Sequence, residues 1–400
     1  MIRKIPVDDL TLGMYVHELH GSWLHHPFWK TRFLLDDPQD LAKIKSCGIK
    51  EVSIDFSLSR LSAPAQAKPA DPETNAGSSE SSAQVPQSSL SAELKRARQL
   101  CEYSKTAVVE MFKEARMGNT VAMEQARDVV EQISSSVSRN PQALITLARL
   151  KTSDNYTYMH SVAVCAMMVA LARELGLSDA EVKEAGAAGL LHDVGKMAVP
   201  DSILNKPGKL SDDEFRIIQT HPERGAEILV RSGGVSPVVI DVCLHHHEKY
   251  DGTGYPHGLN SDVISRMARM GAICDVYDAV TSNRSYKKGW GPAESLQRMA
   301  SWKGHFDPSY FQAFVKVVGI YPVGSLVRLK SQRLAVVLEQ NEKSLVKPKV
   351  KVFFSARSNM PLPQTIIDLS LSGMDDSIEA REPSENWNFP YLDELWQSGI

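Results

Sequence analysis

At 400 residues the chain exceeds one compact core, and its length predicts two or three domains. It is 42% hydrophobic and 23% charged with a formal net charge of -3, so bulk attraction to nucleic acid or membrane is excluded and any anion site must be local. Five scattered cysteines with no CxxC spacing exclude a disulfide framework or thiolate zinc knuckle, and no stretch of roughly 20 apolar residues is present, so the expectation is a soluble, cytoplasmic protein.

Short β-like runs at residues 14–16, 33–35 and 52–54 surround a helix predicted over residues 38–47, with Gly48 as its stop. Residues 1–56 thus read as a small α+β module. Its His25, His26, Phe28 and Trp29 offer either a docking surface for a protein partner or a local core. Residues 57–90 are rich in Ser, Ala, Pro and Gln and bury too little to offset the entropy of ordering, which predicts a flexible linker. From Ser91, the spacing of Leu94, Ala97, Cys101, Val108, Met111, Phe112 and Ala115 predicts a helical connector over 91–150. That connector either pairs with a second chain or packs on the bundle that follows.

Helices continue to about residue 318. Ser178 with Glu181 and Ser211 with Glu214 form capping boxes, and Pro237 after Ser236 marks a further start. β-branched runs at 325–329, 334–338 and 349–354 predict a short β appendage over 321–400, closing in a polar tail read as partly disordered. The fold class is mainly α, a helical bundle with a small N-terminal α+β module and a C-terminal β appendage.

Eight of the twelve histidines fall within residues 156–306, most beside a carboxylate or another histidine. In order come His160, His192-Asp193, His221 before Pro222, His245-His246-His247-Glu248, and Asp275 with Asp278 one helical turn later. A lone buried histidine is most often a hydrogen-bonded core residue. Packing gives no reason to place His-Asp, His-Pro and His-His at successive helix ends, so jointly they point to metal. Imidazole and carboxylate without thiolate suit iron, manganese or zinc, and one carboxylate can bridge two ions.

The order His192-Asp193-Val194-Gly195-Lys196, His221-Pro222, His246-His247-Glu248, Asp251-Gly252-Thr253-Gly254-Tyr255-Pro256 and Asp275-Val276-Tyr277-Asp278-Ala279 resembles the HD-GYP branch of the HD phosphohydrolases over residues 155–318. The first module resembles a domain of unknown function often placed ahead of HD-GYP domains. The resemblance implies an all-helical HD-type bundle holding two divalent ions per chain, iron or manganese. One ion would be held by His160, His192, Asp193 and Asp275, the other by His221, His246 and His247, with Asp193 bridging. His245 lies outside the pattern. Lys196 and Asp278 join Asp193 as catalytic candidates, Arg284 and Lys287 are the implied phosphate clamps, and Tyr255 with Gly254 would line the substrate cleft.

Some relatives hold a third ion through a Glu one turn before the first His ligand, whereas Tyr156 stands here, so a dinuclear site is expected; Asp154 lies nearby. The implied activity is bacterial second-messenger phosphodiesterase chemistry, with a metal-bridged hydroxide converting cyclic di-GMP to linear pGpG and possibly on to GMP. Alternatives are an HD phosphohydrolase for another nucleotide and a non-catalytic cyclic di-GMP receptor. Dimerisation or a protein partner would engage the first module or residues 91–150.

Overall fold

Apolar residues alternating with polar ones near the N-terminus build a small antiparallel sheet. Its strands are β1 (Ile2–Pro6), β2 (Tyr15–His20), β3 (Phe33–Leu34) and β4 (Glu51–Asp55), in the order β1-β4-β2-β3, with α1 (Pro38–Ser46) between β3 and β4 in sequence. Val7, Leu10, Val16, Leu35, Ile44, Val52 and Ile54 bury their side chains together as its core. β1, which precedes the β-like runs read from the sequence, is held by its register with the central strand β4, Ile5 opposite Val52.

This computed structural model describes residues 2–20, 33–46, 51–55, 90–149, 156–282, 289–341, 344–383 and 386–397. It divides into two units, Met1–Ser81 and Ser82–Ile400. The aromatic cluster at residues 25–29, the stop at Gly48, the linker at 57–89 and Asp154 lie outside the described residues.

The second unit opens with α2 (Leu90–Arg116), α3 (Met123–Arg139) and α4 (Pro141–Arg149). The buried carboxylate of Glu93 on α2 accepts from Arg139 Nε and Nη2, each at 2.8 Å, and from Ser136 Oγ at 2.9 Å, which joins α2 to α3. These helices pack on α5 (Tyr156–Glu174) and α6 (Asp179–Leu191), so residues 91–149 form part of the bundle itself. α5 is apolar on every side and buried from Met159 to Ala172, as a central helix must be. α6 starts at the capping box of Ser178 and Glu181. It crosses α5 in backbone contact at Gly189, where a Cβ would lie 2.9 Å from Cys165 Cα. That close crossing brings the end of α6 beside the start of α5.

After a 3-10 turn over Val194–Ala198 come α7 (Asp201–Leu204), α8 (Asp212–Ile218), α9 (His221–Ser232), α10 (Pro237–His245), α11 (Arg266–Thr281), α12 (Pro292–Ser301) and α13 (Pro308–Val318). The Ser211–Glu214 box opens α8, and Ser236 caps α10 by accepting from Val238 N. The chain then forms β5 (Leu326–Leu329), β6 (Arg333–Glu339), β7 (Lys349–Ser355), β8 (Met360–Asp368) and β9 (Ile378–Arg381), an antiparallel sheet ordered β8-β7-β6-β5-β9, with α14 (Leu392–Gln397) after it. β8 carries Pro361 and Pro363 and takes an edge, where a missing N–H is tolerated. The tail is more ordered than its composition implies, because Leu395 and Trp396 of α14 are buried and Lys351 Nζ donates to the Leu395 carbonyl. The chain is mainly α with two small sheets, and among the described residues no helix is long and apolar enough to cross a membrane.

Candidate metal centre

His160 on the second turn of α5, His192 and Asp193 at the end of α6, and Asp275 on α11 converge from elements far apart in sequence. His160 Nε2 lies 3.0 Å from Asp275 Oδ1, 3.3 Å from Asp193 Oδ2 and 3.2 Å from His192 Nε2. The outer ring nitrogens are already engaged. Nδ1–H of His160 donates to Asp278 Oδ2 at 2.6 Å, and Nδ1–H of His192 donates to the Gly189 carbonyl at 2.8 Å. With Nδ1 carrying the hydrogen, a neutral ring presents its Nε2 lone pair inward.

The second cluster repeats this arrangement on α9 and α10. His221 opens α9 and donates Nδ1–H to the Ile218 carbonyl at 2.7 Å; His246 ends α10 and donates to the Cys243 carbonyl at 2.9 Å. Their Nε2 atoms sit 3.3 Å apart. Asp193 Oδ1 lies 3.3 Å from His221 Nε2 and 3.8 Å from His246 Nε2, is buried, and accepts no hydrogen bond. Ligand atoms of His221, His246 and His247, of His160, His192 and Asp275, and of His192, Asp193 and His246 each group within 4.8 Å. Facing lone pairs and an orphaned buried carboxylate oxygen are the electrostatics of a cation site, so these residues fit divalent metal. Gly195 makes the joint between the clusters possible, since a Cβ there would lie 1.9 Å from the His221 carbonyl oxygen.

Charge divides the centre in two. Burial opposes protonation of His160, but Asp193, Asp275 and Asp278 outweigh it and push its pKa up to about 10; His192 is raised for the same reason, chiefly by Asp193. Burial and the neighbouring imidazole His221 take His247 down to about 3 against the pull of Asp275, and hold His246 well below its ordinary value. Asp193 and Asp275 stay ionised despite burial, held low by Lys196 and His192 in one case and by His160 and His192 in the other. Burial raises the thiols of Cys165, Cys243 and Cys274 far out of the reactive range, so no thiolate competes as a ligand.

Around this centre, Lys196 Nζ donates to Asp193 Oδ2 at 2.5 Å, so this catalytic candidate is first a partner of the shared carboxylate. Asp278 Oδ2 accepts from the outer nitrogen of His160. Tyr255 stacks on His247, ring centroids 4.6 Å apart, and burial with the charges of Asp275 and Asp193 raises its phenol, which stays neutral. Gly254 serves the chain's own packing, because a Cβ would lie 2.3 Å from Lys249 N and 2.6 Å from the His247 carbonyl oxygen. His245 turns away to Asp241 at 2.7 Å and His257 at 3.2 Å.

Arg284 and Lys287 lie outside the described residues, although Gly289 packs against the Thr281 carbonyl at the end of α11. Tyr156 begins α5 four residues before His160, and its side chain is outside the described set. Sequence reasoning named Glu248 only as a motif member and gave it no role; it is 2% exposed and accepts from His257 N and Leu259 N, and its signal was a carboxylate following three histidines.

A family model described as an HD domain matches residues 129–310, and one described as a domain of unknown function, DUF3391, matches residues 2–126. The cyclic di-GMP phosphodiesterase PA4108 of Pseudomonas aeruginosa is 56% identical over 397 residues, covering 99% of this chain and 96% of the relative. The chain belongs to the HD-GYP family. Two other relatives match over less. The cyclic di-GMP phosphodiesterase response regulator RpfG of Xanthomonas campestris is 36% identical over 219 residues, 50% of this chain and 57% of that protein. The 3'3'-cGAMP-specific phosphodiesterase 2 of Vibrio cholerae is 43% identical over 148 residues, 36% of this chain and 28% of that protein. The border between the two matched family domains falls inside α3.

Proposed function

We propose that this HD-GYP protein is a metal-dependent phosphodiesterase that opens cyclic di-GMP to linear pGpG, and that two divalent ions, iron or manganese, would be held by His160, His192, Asp193 and Asp275 and by His221, His246 and His247, with Asp193 shared. The observation that carries the reading is that carboxylate, with Oδ2 beside His160 and His192 and the orphaned Oδ1 beside His221 and His246. A relative matched over nearly its whole length bears the same activity in its name. Nitrogen and oxygen donors without thiolate favour iron or manganese over a structural zinc. When bound, such ions supply Lewis-acid polarisation of the phosphoryl group and lower the pKa of water.

The chain's own residues then have separable tasks. Asp278 keeps a proton on His160 Nδ1 and so aims Nε2 inward. Lys196 anchors Asp193 and leaves an ammonium beside the reacting phosphate, where negative charge develops. The Tyr255 ring, stacked on His247, offers a face for a guanine. Arg284 and Lys287 would clamp the second phosphate from the segment following α11. With Tyr156 in place of a carboxylate, no third ion is anchored there, and cleavage of pGpG to GMP is the slower step.

Product chromatography after incubating the reduced iron and manganese forms with cyclic di-GMP, cyclic di-AMP and 3'3'-cGAMP tests this. pGpG accumulates from cyclic di-GMP, with a preference of about tenfold or more set by base contacts. Tight binding of cyclic di-GMP without hydrolysis by either form would instead assign a receptor.

A further inference from the structure

Between the ligand His247 and the loop that carries Tyr255 stands a buried carboxylate that faces no metal cluster. Glu248 accepts from two backbone amides of that loop, His257 N at 2.7 Å on Oε1 and Leu259 N at 3.0 Å on Oε2. The base of the loop is closed separately, by the bridge between Asp251 and Asn260 and by Asp251 N donating to the Gly304 carbonyl at 2.9 Å. Its tip is folded back onto the ligand segment, with Tyr255 N donating to the His247 carbonyl at 3.3 Å and Gly254 against the backbone of residues 247–249. A buried charge that spends both oxygens on amides of one loop fixes the position of that loop.

We propose that Glu248 is a positioning residue that seats Tyr255 on His247, so that the substrate-facing ring and the metal ligand hold one fixed geometry. This rests on the reading that Tyr255 faces the cyclic dinucleotide. Replacing the carboxylate by an amide of equal size points an NH2 at one of the two donors, so one charge-assisted bond becomes a donor-donor contact. The loss of such a bond is worth about tenfold.

The experiment compares wild type, Glu248→Gln, Tyr255→Ala and the double variant, each loaded with manganese. Glu248→Gln raises KM for cyclic di-GMP about tenfold and changes kcat by less than about threefold, at an unchanged metal content. In the Tyr255→Ala background the same change adds less than about twofold, because the ring it would seat is gone. Amide exchange at His257 and Leu259 accelerates in Glu248→Gln whatever the substrate. Equal KM effects in both backgrounds, unchanged exchange, or metal lost in step with kcat would each overturn the proposal. A wild type that failed to turn over cyclic di-GMP would sink the substrate reading alone, since exchange still decides whether Glu248 holds the loop.

Discussion

On the α5–α6–α11 side of Asp193, two imidazoles face the carboxylates of Asp193, Asp275 and Asp278; on the α9–α10 side, three imidazoles cluster, His221 and His246 facing a single oxygen of Asp193 and His247 3.7 Å from Asp275. The first cluster can balance its charge with protons, and His160 accordingly keeps one up to about pH 10. The second cannot, because burial already disfavours the charged forms of His246 and His247 and the two rings would repel one another if both were protonated. A cation entering the first cluster displaces a proton, whereas one entering the second meets free lone pairs. The two halves therefore differ in how metal affinity depends on pH, although His160, His192, His221 and His246 are oriented by the same device, an outer N–H tied to a carbonyl or carboxylate.

The largest expected effect comes from removing what the halves share. Asp193→Asn leaves an amide nitrogen among imidazole lone pairs, and activity falls by about three orders of magnitude as both clusters lose metal. Metal analysis of the variant checks this, and retention of one full equivalent would mean that the halves are independent. Asp278→Asn is more selective. It unpins only His160, so metal affinity of the acidic half drops by about 10- to 100-fold while the other half keeps its own. Stepwise metal titration reads the difference, and equal weakening of both steps would contradict it.

The smallest effect is on stability of the chelated protein, where the halves respond to pH with opposite sign. The raised pKa of His160 contributes stability fully present below 6.5 and lost as the pH climbs through about 10. His247, depressed to about 3, is uncharged in the fold, so below 6.5 the unfolded chain takes up its proton more readily and stability falls as the pH drops towards 3. The depressed Asp193 and Asp275 act in the same direction at the acid end. Melting temperatures of chelated protein across pH should pass through a maximum between these arms, and loading with metal should flatten both. A melting temperature still rising through pH 10 without metal would contradict the assignment to His160.

Where residues adjacent in sequence carry the chemistry, the sequence was readable. His192-Asp193 and His246-His247 each end a helix and place two functional groups together without long-range packing, and the capping serines fixed the helix starts. What stayed hidden depends on distant partners. Asp278 reaches His160 across 118 positions, and only the crossing of α5 and α11 reveals it as a positioning group. Gly195 stood only as a motif member and Gly254 as a cleft residue, whereas their value lies in backbones that would collide with a Cβ. Glu248 resembled one more acidic residue until two amides of a loop converged on it. At the C-terminus, prolines disguised β8 as loop, and α14 owes its order to Trp396 and Lys351 rather than to its own propensity.

Metal stoichiometry measured together with turnover tests most directly whether one carboxylate, Asp193, is shared between two ions. Protein purified anaerobically should carry two divalent ions per chain and hydrolyse cyclic di-GMP, losing turnover as either ion is removed and regaining it when iron or manganese is restored. Full hydrolysis by protein stripped of metal would contradict it.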